Sequence, residues 1–416
     1  MKKLHYILLS ILAISMVACV DNDDENGETP TVNNYLIIAS GQTLFYDADG
    51  AEISAPSVGD SLYGQDASYL IGEEMSYQNN DDGTITDLNS GLMWEGIPTS
   101  ESFTWQEASD YCDSLVLGEY DDWRLPNLKE LFSISDFGKG WPYLDTTYFK
   151  LATGIVDKSE QFWSSNLYVG STVEGQENAA FGVNHVTGHI KAYPSGVGMN
   201  DGLPADTSGT GTPPPPGGDG STPPPGGDTD IGSPLAKHVR AVRGDEYGIN
   251  EFVENSDSTI SDNSTGLMWS QNDDGNGMDW QNALVYAENA NLAGYTDWRL
   301  PNVKELQSIV DYSYAPGASD AANEGPAINP IFTCTPIVNE AGSSDYGYYW
   351  TGTSADFRSG EPYYYAWYVA FGRAVNGEGL DYHGAGAVRF DTKYEGGPLG
   401  EGGERYDNFV FLVRNI

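Results

Sequence analysis

The chain has 416 residues, room for two or three domains, and sets 61 acidic side chains against 19 basic ones for a formal net charge of −42. A surface of that sign repels phosphate and sulfate polyanions, so nucleic acid is excluded as a partner and sulfated polyanions are poor ones. It leaves solubility outside the cell, or a neutral or basic partner, as the readings of the charge.

Residues 1–19 read as a secretory signal. Lys2-Lys3 is a short basic start, Ile7 to Ile14 is mostly apolar, and Ala18 stands directly before Cys19. This predicts a lipid-modified Cys19 heading the mature chain, with ordinary cleavage and an incidental cysteine as the alternative. The stretch is short for a membrane span. Asp21, Asp23, Asp24 and Glu25 make residues 20–33 a hydrated tether. The same acidic run resembles the export signal of lipoproteins on the outer face of a bacterial outer membrane, so a lipid-anchored, surface-exposed location is expected.

From Asn34 to Tyr77, short apolar runs alternate with turns such as Asp47-Ala48-Asp49-Gly50, which reads as hairpins. Then the chain repeats itself: Thr84 to Phe137 and Thr259 to Tyr312 align without a gap, shifted by 175 residues (259 − 84). Gly91-Leu92-Met93-Trp94 matches Gly266-Leu267-Met268-Trp269, and Trp105-Gln106 matches Trp280-Gln281. Asp122-Trp123-Arg124-Leu125-Pro126-Asn127 equals Asp297-Trp298-Arg299-Leu300-Pro301-Asn302, with Lys-Glu-Leu one residue later in both. A period this long exceeds that of solenoid repeats, so each copy is expected to own a core. The copies are placed at 34–245 and 250–416, with a Pro/Gly-rich insertion at 202–232 whose composition cannot bury a core.

Within each copy two helices are expected. Thr104 and Glu107 form a capping box for the first helix of copy one, with Trp105, Ala108, Cys112 and Leu115 inward; Asp279 caps its counterpart. Asn127 and Asn302 cap the second helices, each with a Glu at the third position, Glu130 or Glu305. Strands follow at Gln161–Ser165 and Ala179–Val183, at Tyr348–Gly352 and Val369–Gly372, and each copy closes on a Val-Arg strand, His238–Arg243 or Phe409–Arg414. Cys112 and Cys334 are not in equivalent positions; they either pair across the copies or stay free thiols.

The order of these motifs resembles the Lcl C-terminal domain family, named for the terminal domain of a bacterial collagen-like adhesin, over about residues 35–245 and 250–416. The resemblance implies an α+β fold: two tandem C-type-lectin-like domains, each with two helices packed on a twisted antiparallel sheet, in an extracellular, glycan-directed or adhesive role. The chain departs from the pattern in its acidity, in Ala241 and Leu412 where many members have a closing-strand cysteine, and in lacking the calcium-and-sugar triplets of sugar-binding C-type lectins.

Four groups of residues are candidates. Trp123, Arg124, Trp298 and Arg299 are read as structural, the arginines pairing with Glu130 and Glu305 or with helix-end carbonyls. Among the many aromatics of copy two, Tyr349, Tyr364, Trp367 and Tyr368 are expected on a ligand-binding surface, because alternation along a strand sends half of them outward. Asp81, Asp82, Asp273 and Asp274 sit in turns rich in hard oxygen ligands where calcium is the cation to expect, although Asp is also a default turn residue. Cys19 is the lipidation site. No histidine spacing or nucleophile motif supports catalysis. The expected role is non-catalytic binding of a glycan or a surface protein; an envelope enzyme acting on glycans or peptides, or a structural envelope component, are the alternatives.

Overall fold

The computed structural model describes residues 35–196, 235–400 and 405–416. The expected signal, Cys19, the tether and the 202–232 insertion lie outside the described residues.

A lead-in segment comes first, with a two-residue hairpin of β1 (Phe45–Tyr46) and β2 (Glu52–Ile53) turned by Asp47–Gly50, then a single 3-10 turn at Asp66–Ser68. Copy one contains β3 (Tyr77–Asn79), β4 (Thr84–Asp87), β5 (Met93–Glu95), α1 (Trp105–Ser114), α2 (Leu128–Ser133), β6 (Gln161–Leu167), β7 (Ala179–Asn184), β8 (Ile190–Pro194) and the closing β9 (Val242–Arg243). Copy two repeats the plan with β10 (Phe252–Glu254), β11 (Thr259–Asp262), β12 (Leu267–Ser270), α3 (Trp280–Glu288) and α4 (Val303–Ser308). A small hairpin of β13 (Pro336–Val338) and β14 (Ser344–Tyr346) follows, then β15 (Tyr348–Ala355), β16 (Tyr365–Ala370), β17 (Val388–Thr392) and the closing β18 (Val413–Asn415). Both closing strands are shorter than expected. In copy one the chain before β9 is used elsewhere, Lys237 bridging Phe103 and His238 bridging Phe162.

The helices start where their caps dictate. Thr104 and Glu107 form the reciprocal box at α1, and Asn127 with Glu130, and Asn302 with Glu305, do so at α2 and α4. These helices are too short to persist alone, so their caps and packing must hold them.

The repeated Asp-Trp-Arg-Leu-Pro-Asn block is a structural clasp, each residue with its own task. Asp122 and Asp297 bind the arginine of the closing strand, Arg243 at 2.6 Å and Arg414 at 2.8 Å. Trp123 and Trp298 are buried, their indole N–H groups donating to the Leu117 and Leu292 carbonyls at 3.2 Å. Arg124 and Arg299 reach the helix glutamates, and the Pro126 and Pro301 carbonyls accept the Ser165 and Gly352 N–H groups, both at 2.8 Å. Asn127 and Asn302 are the caps. One motif thus ties the closing strand, the second helix and the edge strand of its own copy together.

Beyond the clasp, the copies are not separate. Each keeps a four-stranded sheet, β3-β4-β5-β9 or β10-β11-β12-β18, but their remaining strands join in a single six-stranded sheet ordered β15-β16-β17-β8-β7-β6. At its centre Ile190 pairs antiparallel with Val388, and these two hold the same position in their copies, opposite Val183 and Val369. The equivalent strands therefore meet about a local two-fold axis, as in an isologous dimer built into one chain. Helices α2 and α4 pack on each other across the same axis. From each copy an aromatic ring crosses to the other copy's sheet: Phe137 meets Trp367 edge to face at 5.1 Å, and Tyr312 meets Phe181 at 4.9 Å. The largest buried apolar cluster accordingly draws on both copies, and the described residues fall in one compact unit.

The expectation that each copy would own a core holds only for a smaller cluster under its first helix, around Ala108 and Trp163 in copy one and Trp280 and Trp350 in copy two, and is corrected for the largest cluster, which the copies share. The physical reason is that a three-stranded half-sheet with a free inner edge buries too little on its own, and pairing that edge with its twin removes it. We expect one cooperative unfolding transition, with calorimetric and van't Hoff enthalpies equal; two resolved transitions would show separate cores.

Candidate functional site

Three of the four aromatics expected at the surface are buried. Tyr349 and Trp367 have no exposed area, Tyr368 is 4% exposed, and Tyr364 is half-buried against the core. Alternation does send neighbouring residues to opposite faces of β15 and β16, but both faces are covered. Tyr349, Tyr365, Trp367 and Val369 enter the shared core, while Tyr348, Trp350, Ala366 and Tyr368 enter a second cluster under α3. Tyr348 and Tyr368 stack there at 4.3 Å.

Nor do the turn aspartates converge. The exposed Asp82 accepts from the Thr84 N–H and hydroxyl at 2.9 and 2.6 Å, bonds that lower its carboxyl, and Asp81 is an exposed left-handed turn residue at φ 61°. Asp273 takes the Thr335 hydroxyl and N–H, both at 2.6 Å, and the Tyr349 hydroxyl at 2.7 Å. Asp274 takes the N–H groups of Val410 (2.7 Å) and Gly277 (2.8 Å), while burial raises its carboxyl. Donors from the chain itself thus occupy oxygens of Asp82, Asp273 and Asp274, and among the described residues no group of three or more His, Cys, Asp or Glu side chains that could hold a metal ion exists. Cys112 and Cys334 are both free and buried, and burial pushes both thiols up.

The structural pairing of the arginines is realised. Arg124 grips Glu130 through two bonds of 2.6 Å, and Arg299 grips Glu305 through bonds of 2.7 and 2.6 Å. The Lys-Glu-Leu lysines are also committed. The Lys304 ammonium donates to the Ser133 carbonyl of the other copy at 2.7 Å, and Lys129 donates to Asn250 at 2.6 Å and the Gly248 carbonyl at 3.0 Å. Burial lowers them to about 7 and about 8.

An opening does exist where the two copies differ. Beside α3 a cleft of about 590 Å³ is bordered by Asn272, Asp273, Tyr286, Asn289, Asn291 and Leu292. Tyr286 is 39% exposed, and burial together with Asp274 and Asp273 raises its hydroxyl. In copy one the same place is filled: the Tyr111 hydroxyl donates to Glu95 at 2.6 Å, and Glu95 accepts the Ala241 N–H at 3.2 Å. Copy two has Ser270 where copy one has Glu95. The serine hydroxyl accepts the equivalent N–H, that of Leu412, at 3.0 Å, but it is too short to meet Tyr286. A Glu-to-Ser exchange between the copies therefore frees a tyrosine and opens the cleft. Its wall offers amides, a carboxylate and an aromatic ring, groups suited to a polyhydroxylated ligand. The site expectations missed this place, although the mismatch of Glu95 with Ser270 inside an aligned repeat was available as a signal.

A family model described as Lcl C-terminal domain matches residues 83–200 and 258–390, one match in each copy. No curated protein and no solved structure matches the chain.

Proposed function

The chain belongs to the Lcl C-terminal domain family twice over, and from that premise we propose a surface binding or adhesion protein whose ligand is a neutral glycan seated in the cleft beside α3. The observation that carries the reading is the cleft itself, open in copy two and closed in copy one by the Glu95–Tyr111 bond. Tyr286 supplies a flat apolar face, and the exposed Asn272 and Asn291 supply amide donors and acceptors for hydroxyls. Sulfated glycans fit poorly against Asp273 and a chain of −42.

In this reading the protein binds and does not catalyse. Its support is that the buried acids serve the fold: Glu130 and Glu305 hold arginines, Asp356 takes the Tyr143 hydroxyl at 2.6 Å and Asp381 that of Tyr168 at 2.7 Å. We read each copy as C-type-lectin-like on the strength of two short helices beside antiparallel sheets, with its first strands paired to its last. The signal pattern before Cys19 supports a lipid anchor and a cell-surface location. Among the described residues no helix is long and apolar enough to cross a membrane.

Ser270→Glu tests the site. The new carboxylate should accept from Tyr286 as Glu95 does from Tyr111, closing the cleft while the fold is kept. On an array of neutral oligosaccharides we expect binding by the natural protein, unchanged by chelator, and a loss of about tenfold or more in Ser270→Glu and in Tyr286→Ala. Equal binding by all three proteins would remove the cleft as the ligand site.

A further inference from the structure

The local two-fold exposes a second difference between the copies, far in sequence from the α3 cleft. On copy two the lead-in segment lies along the outer edge of β15. The Ser40 carbonyl accepts the Phe137 N–H at 2.7 Å, and the Gln42 amide clamps the backbone of Ser354, donating to its carbonyl at 2.9 Å and accepting its N–H at 2.7 Å. The Asp66 carboxylate accepts the Thr353 hydroxyl at 2.6 Å. Backbone and segment lie so close at Gly352 that an added Cβ would stand 3.1 Å from the Asp66 nitrogen. Gly352, Thr353 and Ser354 are all buried as a result.

On copy one no described segment lies along the same stretch of edge. β6 carries the same register break as β15, which makes Ser165, Asn166 and Leu167 the counterparts of Gly352, Thr353 and Ser354. Ser165 is exposed, Asn166 half-buried and Leu167 42% exposed. Tyr168 donates to Ala179 at 2.9 Å, so Leu167, one position earlier and opposite Ala180, turns its own N–H and C=O away from β7. Asn166 accepts the Leu128 N–H at 2.8 Å as Thr353 accepts that of Val303 at 3.1 Å, but among the described residues its Nδ2 meets no acceptor to match Asp66. The Tyr312 N–H, counterpart of the one that Ser40 satisfies, has no partner among the described residues. These groups edge a cleft of about 350 Å³ between the copies, bordered by Asn127, Asn166, Asn250, Phe252, Asp311 and Tyr312. Beside it the Arg124 side chain is 34% exposed, whereas Arg299, under the lead-in, is 5% exposed.

We propose that this edge of β6 and the adjoining cleft bind an extended segment of a partner polypeptide, in the manner in which residues 40–42 and 64–66 bind β15. The segment is specified by what the edge lacks: a main-chain carbonyl for the Tyr312 N–H, a Gln or Asn side chain to clamp the Leu167 backbone, and a carboxylate for Asn166 Nδ2 near Arg124. Strand edges are common peptide docks because the main chain supplies the bonds and the side pockets select. The molecule carries its own template of the complex on the other side of the axis.

The test uses the full chain and, as probe, a fluorescent peptide with the sequence of residues 38–72. Asn166→Asp keeps the acceptor for Leu128 while removing the Nδ2 donor, and Leu167→Pro removes an N–H that its own sheet does not use. Saturable binding of the probe, weakened about tenfold by either change and untouched by Tyr286→Ala, is the expected result. No binding up to about 1 mM probe overturns the proposal. So does equal binding to both edge variants, which would mean that the probe displaces the native lead-in from copy two. Because Tyr286→Ala reports only on the α3 cleft, failure here and failure of the glycan reading are separable.

Discussion

Replacing Trp367 by alanine is expected to destabilise the protein by about 3–5 kcal/mol, with loss of ligand only in proportion to loss of folded protein. Trp367 has no exposed surface and touches both copies: Phe137 at 5.1 Å and Tyr143 at 5.4 Å come from copy one, Phe390 at 5.5 Å from copy two. Neighbours anchored on two structural halves cannot collapse into the space without disturbing the two-fold, so most of the cavity should persist. Urea unfolding followed by circular dichroism gives the number, and Tyr286→Ala is the control, an exposed residue whose removal should change stability by no more than about 0.5 kcal/mol. A Trp367→Ala protein of normal stability that had lost binding would restore the tryptophan to a surface role.

The contrast between Trp367 and Tyr286 shows where sequence reasoning held and where it ran out. Local chemistry was legible: the boxes at Thr104, Asn127 and Asn302, and the glutamates that meet Arg124 and Arg299, follow from residues at most seven apart. Burial of the sheet was not, because what covers the Trp367 face is Phe137 and Tyr143, more than two hundred residues earlier in the chain. A warning was nevertheless present. Tyr365-Ala366-Trp367-Tyr368-Val369-Ala370 has no polar residue at alternate positions, the pattern of a strand covered on both sides, whereas a half-exposed strand alternates. The turn aspartates illustrate the same limit, since Asp273 is satisfied by Thr335 and Tyr349, residues distant in sequence.

The two halves of the repeat also allow a paired measurement, because the same Arg–Glu clasp sits under cover in one copy and at the surface in the other. Glu130 and Glu305 are both fully buried, yet the arginines are 34% and 5% exposed. Arg299→Ala strands the Glu305 carboxylate with the Asn302 N–H at 2.9 Å as its remaining close donor, and is expected to cost about 3–5 kcal/mol. Arg124→Ala should cost less, about 1–2 kcal/mol: water reaches the site, and Glu130 retains two N–H donors, Asn127 at 2.8 Å and Tyr247 at 3.1 Å. The sign of the pH dependence follows from the same picture. A buried carboxylate that has lost its cation prefers the neutral form, so the folded variant takes up a proton more readily than the unfolded chain and the deficit of Arg299→Ala should shrink as pH falls from 7 towards about 4.5. Urea midpoints of both variants at several pH values check the order and the slope. Equal costs in the two copies would mean that the lead-in over Arg299 contributes nothing to the clasp, and a deficit that grew on acidification would mean that Glu305 is not the group left stranded.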